Sequence, residues 1–260
     1  MSDGVNGDPV LLEHLAWPDI RALTEHGMRM CIVPVGATEQ HGPHLPVNVD
    51  TLAATYLSHE VSRRTGVPVL PTLAYGCSLG HTATWPGTFS LLPRTLATVA
   101  EEVLDWAIAS GFTKIAFFNH HATNFAPLRV ALEMIRHRQP GVKVWIQNFW
   151  EISPRVSSAY GEDGADVHAN VAETSMLLAI APELVHMDRV VDEPDRSEGR
   201  LFSYTVAEMS VSGVVGRPSG ATREKGLALI EMIVEDLSGK VMTALKEEPP
   251  ALAQERTRPA

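Results

Sequence analysis

Short apolar runs rich in β-branched residues alternate with segments of helical periodicity along most of the 260-residue chain. That alternation is the pattern of a parallel sheet covered by helices, and it constrains the fold more than any other feature. "MRMCIVPVG", "KIAFFN" and "VKVWIQNFW" read as buried strands. Before, between and after them, six segments read as helices. "WPDIRALTEHG" has Pro18 in its first turn and Gly27 after its end. "TLAATYLSHEVSRRTG" is closed by Gly66, "RTLATVAEEVLDWAIASG" by Gly111, and "ATNFAPLRVALEMIRHRQPG" by Pro140-Gly141. "NVAETSMLLAIAPELV" breaks near Pro182, and "SGATREKGLALIEMIVEDLSGKVMTALKEE" is long and amphipathic. "VPVLPTLAYG" is a weaker strand, because its two prolines keep it short or irregular. "CSLGHTATWPGTFSLLP" is too rich in Gly, Pro and Thr for a regular element and too apolar for a plain linker, so it is expected to be a functional loop. The polar segment "DEPDRSEGRLFSYT" is expected to be a surface excursion. No repeat or composition shift divides the chain; one α/β domain is expected over residues 11–246, with disordered ends at 1–10 and 247–260.

A net charge of -10 argues against a nucleic-acid or anionic-membrane surface, which needs a basic face. Cys31 and Cys77 are too few for a disulfide framework or a Cys-based zinc site and are expected to be reduced thiols. The start of the chain has neither a basic nor an apolar signal region, and no apolar run approaches a membrane span. A cytoplasmic protein acting on a small molecule is expected, without nucleic acid or membrane as partner.

The chemistry concentrates where strands end. "VPVGATEQHGPHLPVNVDT" follows the first strand with Glu39, His41, His44 and Asp50. Asn119, His120, His121 and Asn124 follow "KIAFF", and Asp166 and His168 precede "NVAETS". Side chains on loops at one sheet edge can converge on a single crevice. In extended chain, residues i and i+2 project to the same side, so Glu39 and His41 can aim at one point while Gln40 turns away. By the same rule at most one of His120 and His121 faces that point. Two carboxylates and an imidazole suit Zn²⁺, Mn²⁺ or Fe²⁺, with positions left for water. Some of these residues also have plainer readings. His44 packs or hydrogen-bonds in its loop, Trp85 can be core, and Asn170-x-x-Glu173 has the spacing of a capping box. Such a cap would place His168 just ahead of a helix, able to swing into the site.

Five stretches in order resemble the creatininase (creatinine amidohydrolase) family over roughly residues 10 to 240: "VPVGATEQHGPHLPVNVDT", "GHTATWPGTFSL", "NHHATN", "HANVAETSMLLAIAPELV" and "GVVGRPSGATREKG". The resemblance implies a three-layer α/β sandwich with a central, mostly parallel sheet, two divalent metal ions and a homohexamer. By matching positions, it implies that Glu39, Asp50 and His121 hold one metal and that Asp50 bridges to a second, also bound by His41. His168 matches the catalytic histidine, with Glu173 orienting it or completing the second site. His81 and Trp85 are expected to line the substrate pocket, with His120 and Thr123 beside it. Thr123 departs from creatininase, which has a carboxylate there, and His120 replaces a frequent glycine. The substrate therefore cannot be copied from creatininase.

Two metals about 3.5 Å apart can share a hydroxide and polarise a carbonyl. The resemblance thus implies a metal-dependent amidohydrolase cleaving a C–N bond of a cyclic amide, lactam or small linear amide. The alternatives are a precursor peptidase of the mycofactocin type, a formamide deformylase, and a metal-binding scaffold without activity.

Overall fold

The computed structural model describes residues 7–82, 84–164, 167–197 and 199–250. Its sheet is built from three parallel strands in the order β1 (Met30–Val35), β2 (Lys114–Asn119) and β3 (Lys143–Asn148). All three are the runs read as strands from the sequence. Beside β1, residues 67–73 contribute only isolated bridges, Val69 to Ile32 and Leu73 to Val35. Four backbone hydrogen bonds still tie this segment to β1, Ile32 N–H to Pro68, Leu70 N–H to Ile32, Leu73 N–H to Pro34 and Gly36 N–H to Leu73. Pro68 and Pro71, which have no N–H to donate, keep it from continuing as a regular strand.

The helices are α1 (Trp17–Glu25), α2 (Val49–Thr65), α3 (Pro93–Ala109), α4 (Phe125–Arg138), α5 (Pro154–Tyr160), α6 (Val171–Ile180), α7 (Val206–Met209) and α8 (Arg223–Lys246). They cover both faces of the sheet, which makes three layers. Strand alternation assigns the faces. Met30 and Ile32 of β1, with Ala116 and Phe118 of β2, pack against Leu57 and Val61 of α2, Met176 of α6 and Ile233 and Leu237 of α8. Cys31, Val33, Ile115 and Phe117 point the other way, onto Ala100 and Leu104 of α3 and Leu128 and Ile135 of α4. Both cysteines are buried and unbridged. At the far end of α8, Lys114 Nζ donates to the carbonyls of Ala244, Leu245 and Glu247, which caps the helix with a cation.

Helix α2 begins earlier than its apolar periodicity indicates, so Asp50 lies in its first turn and not in the preceding loop. The unsatisfied N–H groups of a first turn favour a carboxylate there. Gly36, just after β1, brings this turn close: a Cβ at 36 would stand 2.6 Å from the backbone of Thr51. Any larger residue would push Asp50 away from the strand end. Among the described residues, no helix is long and apolar enough to cross a membrane.

Candidate metal centre

The loop after β1 carries Glu39 and His41, the first turn of α2 carries Asp50, and the loop after β2 carries His121. His168 stands just before α6 and Glu173 lies in its first turn. All six are buried. Their ligand atoms form three overlapping groups, each within 4.8 Å: Glu39 with Asp50 and His121, His41 with Asp50 and Glu173, and Glu39 with His41 and His168. The first two share Asp50. Asp166 lies outside the described residues.

Imidazole nitrogens crowd the carboxylates without satisfying them. His121 Nε2 is 3.1 Å from Glu39 Oε2, and His81 Nε2 and His168 Nδ1 are each 3.4 Å from Glu39 Oε1. His121 Nδ1 is 3.6 Å from Asp50 Oδ2. Even so, both Glu39 oxygens and Asp50 Oδ2 are buried and receive no hydrogen bond. A buried carboxylate oxygen without a donor is costly, so these atoms are arranged for a cation. His41 fits the same purpose. Its Nδ1–H donates to the Glu39 carbonyl at 3.0 Å, which turns Nε2 toward Asp50 Oδ1 at 3.7 Å.

The electrostatics follow from crowding in a dry place. Burial pushes the Glu39 carboxyl up to about 7, against the pull of His121, and it also raises Glu173. Burial disfavours the Asp50 carboxylate, but His41 and His120 overcome it and hold the group well below its usual range. Burial likewise opposes charge on His41, and Asp50 outweighs it, raising the imidazole to about 10. His81 and His168, with weaker compensation, are driven down by burial, His81 to about 3.

The adjacent histidines both reach Asp50, by different routes. His121 belongs to the group with Glu39. His120 Nδ1–H donates to Asp50 Oδ1 at 3.0 Å, and Tyr160 donates its hydroxyl to His120 Nε2 at 2.9 Å. Strict alternation holds only within a strand, and β2 stops at Asn119. Thr123 donates its hydroxyl to the Cys77 carbonyl and lies 2.7 Å from His121 Nε2; it belongs to none of the three groups. Glu173 both caps and faces the site: Asn170 Oδ1 accepts the Glu173 N–H at 3.1 Å, while Glu173 Oε2 accepts the Ala169 N–H at 2.7 Å. Ala169 is the one non-glycine with positive φ, 52°, among the described residues, and this turn separates His168 from α6. His44 is a loop residue, bonded through Nε2 to Thr174.

A cavity of about 930 Å³ opens onto the cluster, lined by Glu39, His81, His120, His121, Thr123, His168 and Glu173. Trp85 is half-buried and is not among the lining residues. A larger groove, about 1270 Å³, runs along the open edge of β3 and holds none of the clustered carboxylates. Trp150, Tyr160, Tyr204 and Thr205 also line the smaller cavity. None of them has a sequence signal for this role, since each lies between recognisable elements or at the end of one. The polar segment of residues 192–205 departs most from expectation: Ser203 to Thr205 wall the cavity, and Glu193 is buried. Glu193 accepts from the backbone of Val211 and Ser212 and from the hydroxyls of Ser210 and Ser212, ties that no local pattern reveals.

The chain is similar over most of its length to known proteins. Residues 13–241 match the family model for creatininase, described as creatinine amidohydrolase. The chain is 32% identical to the creatinine amidohydrolase of Pseudomonas putida, over 93% of this chain and 98% of that protein. It is 33% identical to the mycofactocin precursor peptide peptidase of Mycolicibacterium smegmatis, over 82% of this chain and 84% of that protein. A mutant creatininase solved in a Zn–Zn form superposes with a TM-score of 0.82 at 29% identity, covering 93% of this chain and all of that one. The match spans both layers of helices and every loop that brings a carboxylate or imidazole to the cluster, so the chain belongs to the creatininase family of amidohydrolases.

Proposed function

We propose that this protein hydrolyses the C–N bond of a cyclic amide, lactam or small linear amide with two divalent metal ions, Zn²⁺ or Mn²⁺. The observation that supports this most is the set of buried carboxylate oxygens on Glu39 and Asp50 that no donor satisfies. Glu39, Asp50 and His121 would hold one ion; His41, Asp50 and Glu173 would hold the other, with Glu173 in place of the acid absent at Thr123. When bound, such ions lower the pKa of water and polarise a carbonyl oxygen.

The chain's own groups account for the proton. His168 Nε2 donates to the Gln40 carbonyl at 2.8 Å, so Nδ1 is the bare nitrogen and faces the carboxylates. It takes the proton released by the attacking water and returns it to the departing nitrogen, which is too basic to leave as an anion. His120, held by Tyr160, keeps Asp50 oriented.

A peptide substrate is the second reading, and the exposed residues that lead into the cavity wall favour it. Leu201 and Phe202 are 97% and 80% exposed, next to Tyr204 in the cavity wall. Exposed apolar side chains that directly precede the cavity-lining Ser203 and Tyr204 suit an apolar peptide end better than a small polar amide. A hydrolysis screen of cyclic amides, formamides and short peptides ending in apolar residues, with Zn²⁺ or Mn²⁺ supplied, separates the readings. Turnover of peptides alone would overturn the first. No turnover of any class, together with tight metal binding, would leave a scaffold.

A further inference from the structure

Gln40 stands between two ligand-bearing positions, and alternation along the loop turns it away from Glu39 and His41. Its buried amide instead lies among three acceptors or potential acceptors. Gln40 Nε2 is 3.1 Å from the Gly213 carbonyl, 3.0 Å from His81 Nδ1 and 3.2 Å from His168 Nε2. The backbone settles which end of the amide is nitrogen: Oε1 accepts the Gly42 N–H at 2.9 Å, and the opposite end meets a carbonyl, so a flipped amide would fail at both.

The protons can then be counted. An amide nitrogen has two hydrogens. One goes to Gly213. His168 Nε2 lies 2.8 Å from the Gln40 backbone carbonyl, which only accepts, so that nitrogen is itself protonated and cannot accept from the Gln40 side chain. The second amide hydrogen therefore goes to His81 Nδ1. We infer that Gln40 is a positioning residue that sets both histidines as Nε2–H tautomers, so that His168 presents a bare nitrogen to the site and His81 presents an N–H. The two rings meet at the same place, 4.5 Å between centroids, and both inward nitrogens stand 3.4 Å from Glu39 Oε1.

The arrangement is supported from outside. Gly213, at φ 81°, is the only residue type the amide tolerates, since a Cβ there would lie 2.2 Å from Gln40 Oε1. Ser210 accepts the Gly213 N–H and donates to Glu193, so the buried Glu193 fixes the loop against which Gln40 rests. In chemical terms, which rest on the amidohydrolase reading, His168 is the acceptor for a proton and His81 the donor toward a developing negative oxygen.

Nitrogen-15 spectra of the zinc-loaded full-length protein, labelled at histidine and assigned with His81→Ala and His168→Ala, test the assignment. In the wild type, His81 Nδ1 is expected in the pyridine-like range and His168 Nε2 in the pyrrole-like range. Gln40→Glu, which can only accept, should move His81 Nδ1 into the pyrrole-like range and leave His168 Nε2 in place, because its partner is a backbone carbonyl. Gln40→Met removes the pin without adding charge, and should give His81 in both tautomers; it carries the test if the Glu variant does not fold. A protonated His81 Nδ1 in the wild type, an unchanged His81 in a folded variant, or equal movement of His81 and His168 would overturn the inference. The measurement needs no substrate, so failure of the amidohydrolase reading leaves its outcome separate.

Discussion

Glu173 Oε2 accepts the Ala169 N–H at 2.7 Å, so the carboxylate that joins His41 and Asp50 also closes the N-terminus of α6. The two roles are separable by substitution. Glu173→Gln keeps an acceptor for Ala169 and loses the charge, so the fold should persist while the second equivalent of metal is lost, read by plasma mass spectrometry. Glu173→Ala should also lower stability by about 1 kcal/mol, the worth of a helix cap. Two retained equivalents in Glu173→Gln would remove Glu173 from the ligand set.

Asp50 belongs to both principal groups, so its loss should affect both ions. Asp50→Ala is expected to bind almost no metal after dialysis. Asp50→Asn, similar in shape, should keep the fold by circular dichroism and still lose the ions. Metal content near that of wild type in Asp50→Ala would refute the bridging assignment.

Tyr160 acts on Asp50 through His120, two hydrogen bonds away. Tyr160→Phe should weaken metal binding by about 10-fold, within the range for partners that orient a ligand. His121→Ala, which removes a ligand, should weaken it by orders of magnitude. Metal titrations that reverse this ranking would place the ligand at His120 instead.

Glu193 tests the loop that walls the cavity. Burial raises its pKa, but the Ser212 and Val211 N–H groups and the Ser212 and Ser210 hydroxyls prevail and hold it at about 2. The folded value lies below the unfolded value of about 4.3. The charged form therefore contributes stability that is fully present above about pH 4.3 and is lost as pH falls toward 2. Glu193→Gln should cost on the order of 2 kcal/mol at neutral pH and flatten that acid limb in melting-temperature measurements. An unchanged acid limb would mean that the loop is held by other contacts.

How much of this was legible in the chain depends on the range of the interactions involved. Periodicity is local, and it located β1, β2, β3 and six of the helices, with α2 beginning earlier than its apolar pattern indicates; the short α5 and α7, too brief to show a period, were not read. The meeting of Glu39 and His41 with His121 was also readable, because a parallel sheet brings the ends of neighbouring strands together and leaves the connecting loops little choice of edge; Asp50 joins them from the first turn of α2 and His168 from the turn before α6. The pattern Asn170-x-x-Glu173 foretold a cap but not that its carboxylate also faces His41 and Asp50. Tertiary structure alone decided that Gln40 turns its amide onto His81 and His168, that Tyr160 backs His120, and that residues 203–205 close over the cavity. Those contacts join residues tens to more than a hundred positions apart, and their directions depend on side-chain packing at the end of the sheet. Sequence spacing specifies which way a side chain leaves a strand or helix, but beyond the last hydrogen-bonded residue only the assembled fold determines what it meets.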